Sequence, residues 1–165
     1  MAALYTNQIN FFGSQLLHDT NVRWLCTYAR DQIPFLKNEK RPFALVVNTD
    51  VAAGPGEHWL ALYAPRDLLK IEMFDSFGLP PNIYSFDPPL IYFTSRSIQS
   101  FGNKVCGHYA LLFIYFRSRN YSFDNTINNL DKNFTDASTA RKIYDPSRSS
   151  LFRVHCTGQC CKNKS

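Results

Sequence analysis

Cys106-Gly107-His108-Tyr109-Ala110-Leu111-Leu112-Phe113-Ile114-Tyr115-Phe116 is the stretch on which the fold turns. From Cys106 to Arg119 the chain is apolar on nearly every face, the pattern of a helix enclosed by a core rather than lying on a surface. Its longest apolar run, Tyr109 to Phe116, falls well short of the ~18 residues that would span a bilayer. A cysteine opens the helix. There the backbone N–H groups are unpaired and the helix dipole is positive, which favours a thiolate. Lys104 adds a cation two residues earlier, and Gly107 leaves room for a substrate backbone to come close.

Strands precede this helix. Phe43 to Val47 is a continuous apolar run, read as a buried strand. Pro55-Gly56 makes a turn, and His58 to Tyr63 reads as the next strand. After a turn at Pro65-Arg66-Asp67, Lys70 to Asp75 forms a third, ended by Gly78-Leu79-Pro80-Pro81-Asn82. Leu90 to Phe93, behind Pro88-Pro89, is a short fourth. Ile9, Phe12, Leu16 and Leu17 recur at helical spacing, so residues 7–18 are expected to be a helix with Thr6 as its cap. Trp24 to Tyr28 is a short apolar or aromatic stretch. Phe123, Ile127, Leu130 and Phe134 mark a last helix, capped by Ser122. Strands in the middle with helices at both ends make the class α+β.

The bulk composition fits one domain: 165 residues, 45% hydrophobic and 15% aromatic. Residues 1–136 are read as the folded domain and 137–165 as a flexible, basic, cysteine-bearing tail. Residues 1–139 carry 12 basic and 12 acidic side chains, whereas residues 140–165 carry six basic ones against Asp145 alone. Contact with nucleic acid is therefore expected of the tail and not of the neutral body; a solvated end that aids solubility is the alternative. Cys26 and Cys106 stand apart while Cys156, Cys160 and Cys161 crowd the tail, which argues against a disulfide framework and for a reducing compartment. The N-terminus has no signal-peptide pattern, so secretion by that route is not expected. No metal site is expected; His155 with the three tail cysteines lacks a finger spacing.

Four residues carry the chemistry. Cys106 supplies a thiol nucleophile, His58 its base, Asp75 a carboxylate to orient the base, and Gln99 an amide to donate to an oxyanion. Each alone has a plainer reading: a core cysteine, a half-buried histidine, an edge carboxylate, a surface glutamine. Asp75 lies inside the apolar segment Ile71 to Phe77, where a buried carboxylate needs a partner, and an imidazole needs an acceptor for its second nitrogen. The chain order His, Asp, Gln, Cys differs from papain-like enzymes, in which the cysteine comes first.

These segments resemble the adenovirus-type cysteine proteases (adenains) and their relatives in virus-like mobile elements, of the same clan as the SUMO- and NEDD8-specific proteases. The resemblance is carried by Phe43 to Thr49, by Gly56-Glu57-His58-Trp59, by Phe74-Asp75-Ser76-Phe77-Gly78 with Asp75 seventeen residues after His58, by Gln99 seven residues before Cys106-Gly107, and by Trp24 to Pro34. Asp75 stands where the adenoviral enzyme has Glu. The resemblance implies a central mixed sheet flanked by helices, with the nucleophile at the N-terminus of a buried helix. It implies an endopeptidase cutting after small, glycine-type residues, with Trp59 and Gly107 at the substrate, His58, Asp75 and Cys106 catalytic, and Gln99 with the Cys106 backbone N–H at the oxyanion. Substrates would be viral or virus-like structural precursors, met in the virion and the host-cell interior by a monomer that needs no membrane. No cofactor is required by the chemistry, though DNA or a basic peptide activates the adenoviral enzyme; the basic, cysteine-bearing segment Phe152 to Cys156 is, as an alternative to a merely disordered tail, a candidate for a built-in counterpart of such a peptide. The alternatives are a deconjugase of ubiquitin-like proteins, an acyltransferase using a similar triad, and an inactive protease fold that binds a partner.

Overall fold

The computed structural model describes residues 2–85 and 91–144, with Tyr144 described by its backbone alone. Four α-helices and five strands follow in the order α1 (Thr6–Leu17), β1 (Arg23–Ala29), β2 (Phe43–Asn48), β3 (Trp59–Ala64), β4 (Ile71–Phe74), β5 (Ile91–Phe93), α2 (Cys106–Ser118), α3 (Phe123–Asn133) and α4 (Asp136–Tyr144). The strands form one sheet in sequence order. Its outer pairs, β1–β2 and β4–β5, are parallel, and its inner pairs are antiparallel. The α+β class with a central mixed sheet is thus the observed one.

The two central strands read as apolar runs because both of their faces are covered. Ala44, Val46, Ala61 and Tyr63 face the cluster that holds the helices, while Phe43, Leu45, Val47, Leu60 and Leu62 belong to a second cluster with Leu36 and Tyr84. Every residue of α2 from Cys106 to Ile114 is buried. The helix lies on β3 and is boxed in by α1, α3 and α4. At its far end Arg117 makes a buried bidentate pair with Glu72 of β4, at 2.6 and 2.8 Å, and sits over the Tyr63 ring. Gly13 of α1 faces Trp24, whose ring atoms would lie 2.4–2.6 Å from a Cβ at that position. A glycine is what lets β1 bring its tryptophan against α1.

Most expected elements are found within a residue or two. Helix α1 starts at Thr6, with Tyr5 rather than Thr6 outside it, and Gln8 turns back to accept from the Tyr5 N–H at 2.9 Å. His58 stands just before β3 rather than inside it. Trp24 to Tyr28 lies in an edge strand, bulged where Cys26 takes φ 73°. Among the described residues Cys106 is a free thiol. Ser122 caps α3 by accepting from the Asn125 N–H at 3.1 Å. No helix among the described residues is long and apolar enough to cross a membrane.

The boundary at 137 needs correction. Residues 136–144 are a helix, and Thr139, Ala140 and Ile143 are buried in the core. The polar composition misled because α4 is amphipathic: Arg141 and Lys142 are exposed while Ile143, beside them, is covered. Residues 145–165, with Cys156 and the rest of the basic tail, lie outside the described residues. Ile143→Ala should therefore cost about 2–4 kcal/mol, the usual penalty for emptying a core aliphatic site. Urea unfolding measures it, and a loss under ~0.5 kcal/mol, as for a surface position, would return α4 to the tail.

Candidate active site

The sheet register brings the first two site residues to one end. Ala61 pairs with Phe74 across the antiparallel β3–β4 ladder, so the residues just before β3 and just after β4 are neighbours. The His58 ring Nε2 lies 2.7 Å from Asp75 Oδ1, with both side chains buried. Helix α2 points its N-terminus to the same end, because Arg117 at its other terminus is tied to Glu72 near the start of β4. Cys106 opens that helix, and its sulfur interacts with the His58 ring. With Nε2 turned to Asp75, Nδ1 is the nitrogen left for the sulfur.

His58 is delivered by a closed loop. Asn48 Oδ1 accepts from the Asp50 and Glu57 N–H groups, and Asp50 accepts from Val51 and Gly56. A Cβ at Gly54 would sit 2.0 Å from Asp50 Oδ2, so the loop closes only around a glycine. The Thr49 N–H bonds the His58 carbonyl at 2.9 Å and leads into the β2–β3 ladder.

Asp75 is 1% exposed, and its carboxylate is fully engaged. Besides His58, it accepts from the Phe77 N–H at 2.8 Å, the Leu79 N–H at 3.1 Å and the Tyr84 hydroxyl at 2.5 Å. Burial by itself would raise its pKa; the hydrogen bond and charge of His58, then Tyr84 and Phe77, outweigh that and hold it below the usual range. His58 mirrors this. Burial would lower its pKa, yet hydrogen bonds to Asp75 and Cys106, with their charges, raise it to about 9. At neutral pH the ring is an imidazolium held between the Asp75 carboxylate and the Cys106 sulfur. Burial and the Asp75 charge push the Tyr84 phenol up, so it remains a donor. His108, two residues past the nucleophile, is fully buried and pushed by burial down to about 4; it stays neutral.

Gln99 joins this group through Ser76, the residue after Asp75. Its Oε1 accepts from the Ser76 hydroxyl at 2.7 Å, and the Ser76 carbonyl takes the Ile98 and Gln99 N–H groups. Gln99 Nε2 donates one proton to the Asn103 carbonyl. These partners fix which end of the amide is nitrogen, and leave a second N–H for another acceptor. The connecting loop is pinned by Asp136, which accepts from the Ser100 N–H, the Asn103 amide and the Tyr109 hydroxyl.

Trp59 and Gly107 lie together, but with a different emphasis from the one expected. The Trp59 indole N–H donates to the Leu4 carbonyl at 3.1 Å. A Cβ on Gly107 would meet Ile9, Trp59 and Leu4 at 3.1–3.3 Å, so this glycine serves close packing of α2 against Trp59 and the N-terminal segment. Ser76, Tyr84, Asn103 and Asp136 escaped the sequence reading. Only Ser76 stood in a motif; the other three act across 4 to 36 residues of chain through contacts that no local pattern announces.

No family model matches the chain. It is 28% identical over 126 residues to a cysteine protease of African swine fever virus, across 61% of this chain and 44% of that protein. It is 27% identical over 127 residues to a protein of Acanthamoeba polyphaga mimivirus that carries a thiol-protease name, across 68% of this chain and 41% of that one. The chain spans less than half the length of these curated relatives. Among solved structures, the crystal structure of the African swine fever virus protease superposes with a TM-score of 0.61 at 20% identity, over 93% of this chain and 68% of that one. The chain thus has the fold of a viral cysteine protease and is similar in sequence to proteases of large DNA viruses.

Two tests follow from the site's bonding. A raised His58 pKa contributes stability in full below its ordinary 6.5 and loses it as pH climbs towards about 9. A lowered Asp75 pKa contributes above its ordinary 3.8 and loses it as pH falls. Urea midpoints should peak between these limits and decline on the alkaline side, and His58→Gln should flatten that alkaline limb; an unchanged limb in the variant would contradict the assignment. Tyr84→Phe should cost about 1.5–3 kcal/mol, as expected for a hydrogen bond to a charged group. A wild-type denaturation midpoint in that variant would mean that the phenol does not support Asp75.

Proposed function

We propose that this chain is a cysteine endopeptidase of the adenain type, hydrolysing peptide bonds after small residues in viral or virus-like structural precursor proteins. The observation that carries the reading is the buried chain of contacts from Asp75 through the His58 ring to the Cys106 thiol. The protease names of the relatives support the same chemistry, and the His, Asp, Gln, Cys order with its motif spacing supports the branch.

The Cys106 sulfur attacks the scissile carbonyl carbon, and the oxygen takes up negative charge facing the free Gln99 N–H and the Cys106 backbone N–H. The C–N bond breaks as His58 gives its proton to the leaving amine, and a thioester remains. Water then attacks the thioester carbon while the neutral His58 takes its proton. The C–S bond breaks, releasing the acid and restoring the thiolate and imidazolium. Asp75 keeps the ring in one orientation throughout. Trp59, in contact with Gly107 beside the nucleophile, narrows the approach and favours a small residue before the cut.

A protein substrate, the virion and host-cell interior as the place of action, and a monomeric enzyme belong to this reading. Activation by DNA or a basic peptide is a further part of it, motivated by the positive charge of residues 140–165.

Digesting a peptide library with wild type and Cys106→Ala, with and without DNA, tests the proposal. Cys106→Ala should lose on the order of 10⁴-fold or more in kcat and remain folded. Gln99→Ala should lose about 10²–10³-fold. Asp75→Asn should be milder than Cys106→Ala, since orientation is only part of the mechanism. Turnover by Cys106→Ala within a few-fold of wild type would remove this site from consideration.

A further inference from the structure

Two aromatic rings next to the triad are not used by the chemistry above. Phe77 stacks on the His58 imidazole with ring centroids 4.7 Å apart and planes at 26°. Phe101 stands beside Phe77, centroids 6.3 Å apart, and is 99% exposed. Other large apolar side chains of this protein are exposed too, Leu69 and Tyr5 among them, so what marks Phe101 is its place beside Phe77 and the way its turn is held. It does not sit on a slack loop. Phe101 rides the turn Ser100–Asn103, closed by the Asn103 N–H on the Ser100 carbonyl. Asp136 holds both ends of that turn, through the Ser100 N–H and the Asn103 amide. The Asn103 carbonyl is in turn bonded by Gln99. A buried carboxylate therefore presents a fully exposed aromatic ring between Gln99 and the nucleophile.

Phe77 is held as firmly. Its N–H donates to Asp75 at 2.8 Å, and the Gly78 N–H closes a turn on the Asp75 carbonyl at 3.0 Å. Gly78 adopts φ +70°, and a Cβ there would meet the Ser95 and Arg96 backbone at 2.7 Å. Together Phe77 and Phe101 make an apolar shelf that begins on the face of the histidine ring.

We propose that this shelf is the subsite for the residue immediately after the scissile bond, and that it takes an apolar side chain, aliphatic or aromatic. The inference rests on the peptidase reading and extends it to the leaving side of the substrate. His58 protonates the leaving amine, so that amine must lie within hydrogen-bond reach of the imidazole. The amine belongs to the residue after the cut, whose Cα is one bond away. Its side chain is thereby brought to the rings that flank His58. An apolar side chain laid there removes both itself and Phe101 from water; a charged one loses hydration and finds no counter-charge on either ring. Exposed Lys104, later in the same loop, makes an acidic preference the competing outcome.

The test uses internally quenched peptides that differ only in the residue after the cut: Leu or Phe against Ser or Asp. Wild type should favour the apolar set about tenfold in kcat/KM, equivalent to about 1.4 kcal/mol. Phe101→Ser should reduce that ratio to about twofold, and Phe101→Tyr should keep it. Each ratio is taken within a single protein, so a partly unfolded variant does not distort it. Equal rates for both sets in wild type, a preference for Asp, or an undiminished apolar preference in Phe101→Ser would each overturn the shelf while leaving the peptidase reading standing. If wild type cuts no peptide at all, the peptidase reading falls and the shelf with it.

Discussion

The buried carboxylate of Asp75 is the constraint around which the active end of the molecule is arranged. A charge this deep is tolerated only when its lone pairs are met, and four donors from three stretches of chain meet them. His58 arrives from the entry to β3, Phe77 and Leu79 from the turn after β4, and Tyr84 from the short 3-10 turn Pro81–Tyr84. Each segment is locked by a bond it makes to the same group, so satisfying the carboxylate and orienting the imidazole are one structural event. The turn that supplies two of these donors also carries Ser76, which fixes the amide of Gln99. One five-residue segment, Phe74 to Gly78, thereby orients both the His58 ring and the Gln99 amide.

Helix α2 supplies the opposing wall. Enclosed on all sides, it cannot slide without opening the core, and its far end is tied to β4 by the Arg117–Glu72 pair. Its first residue is consequently presented at the sheet end where His58 waits. The loop before it is short of regular structure but not of bonds: Asp136, from the start of α4, holds it from outside. That makes α4 part of the frame that holds the loop before Cys106. The same carboxylate holds the turn that carries the exposed Phe101 beside Phe77.

The protease fold is shared with a viral enzyme of which this chain spans about two thirds in the solved structure. What the two have in common is therefore a fold. Specificity in such a fold comes from the edges of the active site, where loops rather than sheet and helix supply the side chains.

The amino-acid sequence by itself determined the order of elements, the doubly buried strands and the enclosed helix, and it proposed His58, Asp75, Gln99 and Cys106 as the candidates for chemistry. Those depend on local periodicity, on turn residues and on side-chain types that a short window displays. Only the tertiary structure decided which partners hold them. Tyr84 reaching Asp75, Asp136 reaching Ser100 and Asn103, and Arg117 reaching Glu72 all join residues that no repeat or spacing relates. It also moved residues 136–144 from tail to core, because an amphipathic helix of polar average composition becomes recognisable once a groove exists to take Thr139 and Ile143. Folding also packs Gly107 against Ile9, Trp59 and Leu4. Whether a glycine serves a ligand or a neighbour is a question of what stands within 3–4 Å of its missing side chain, and chain folding alone answers it.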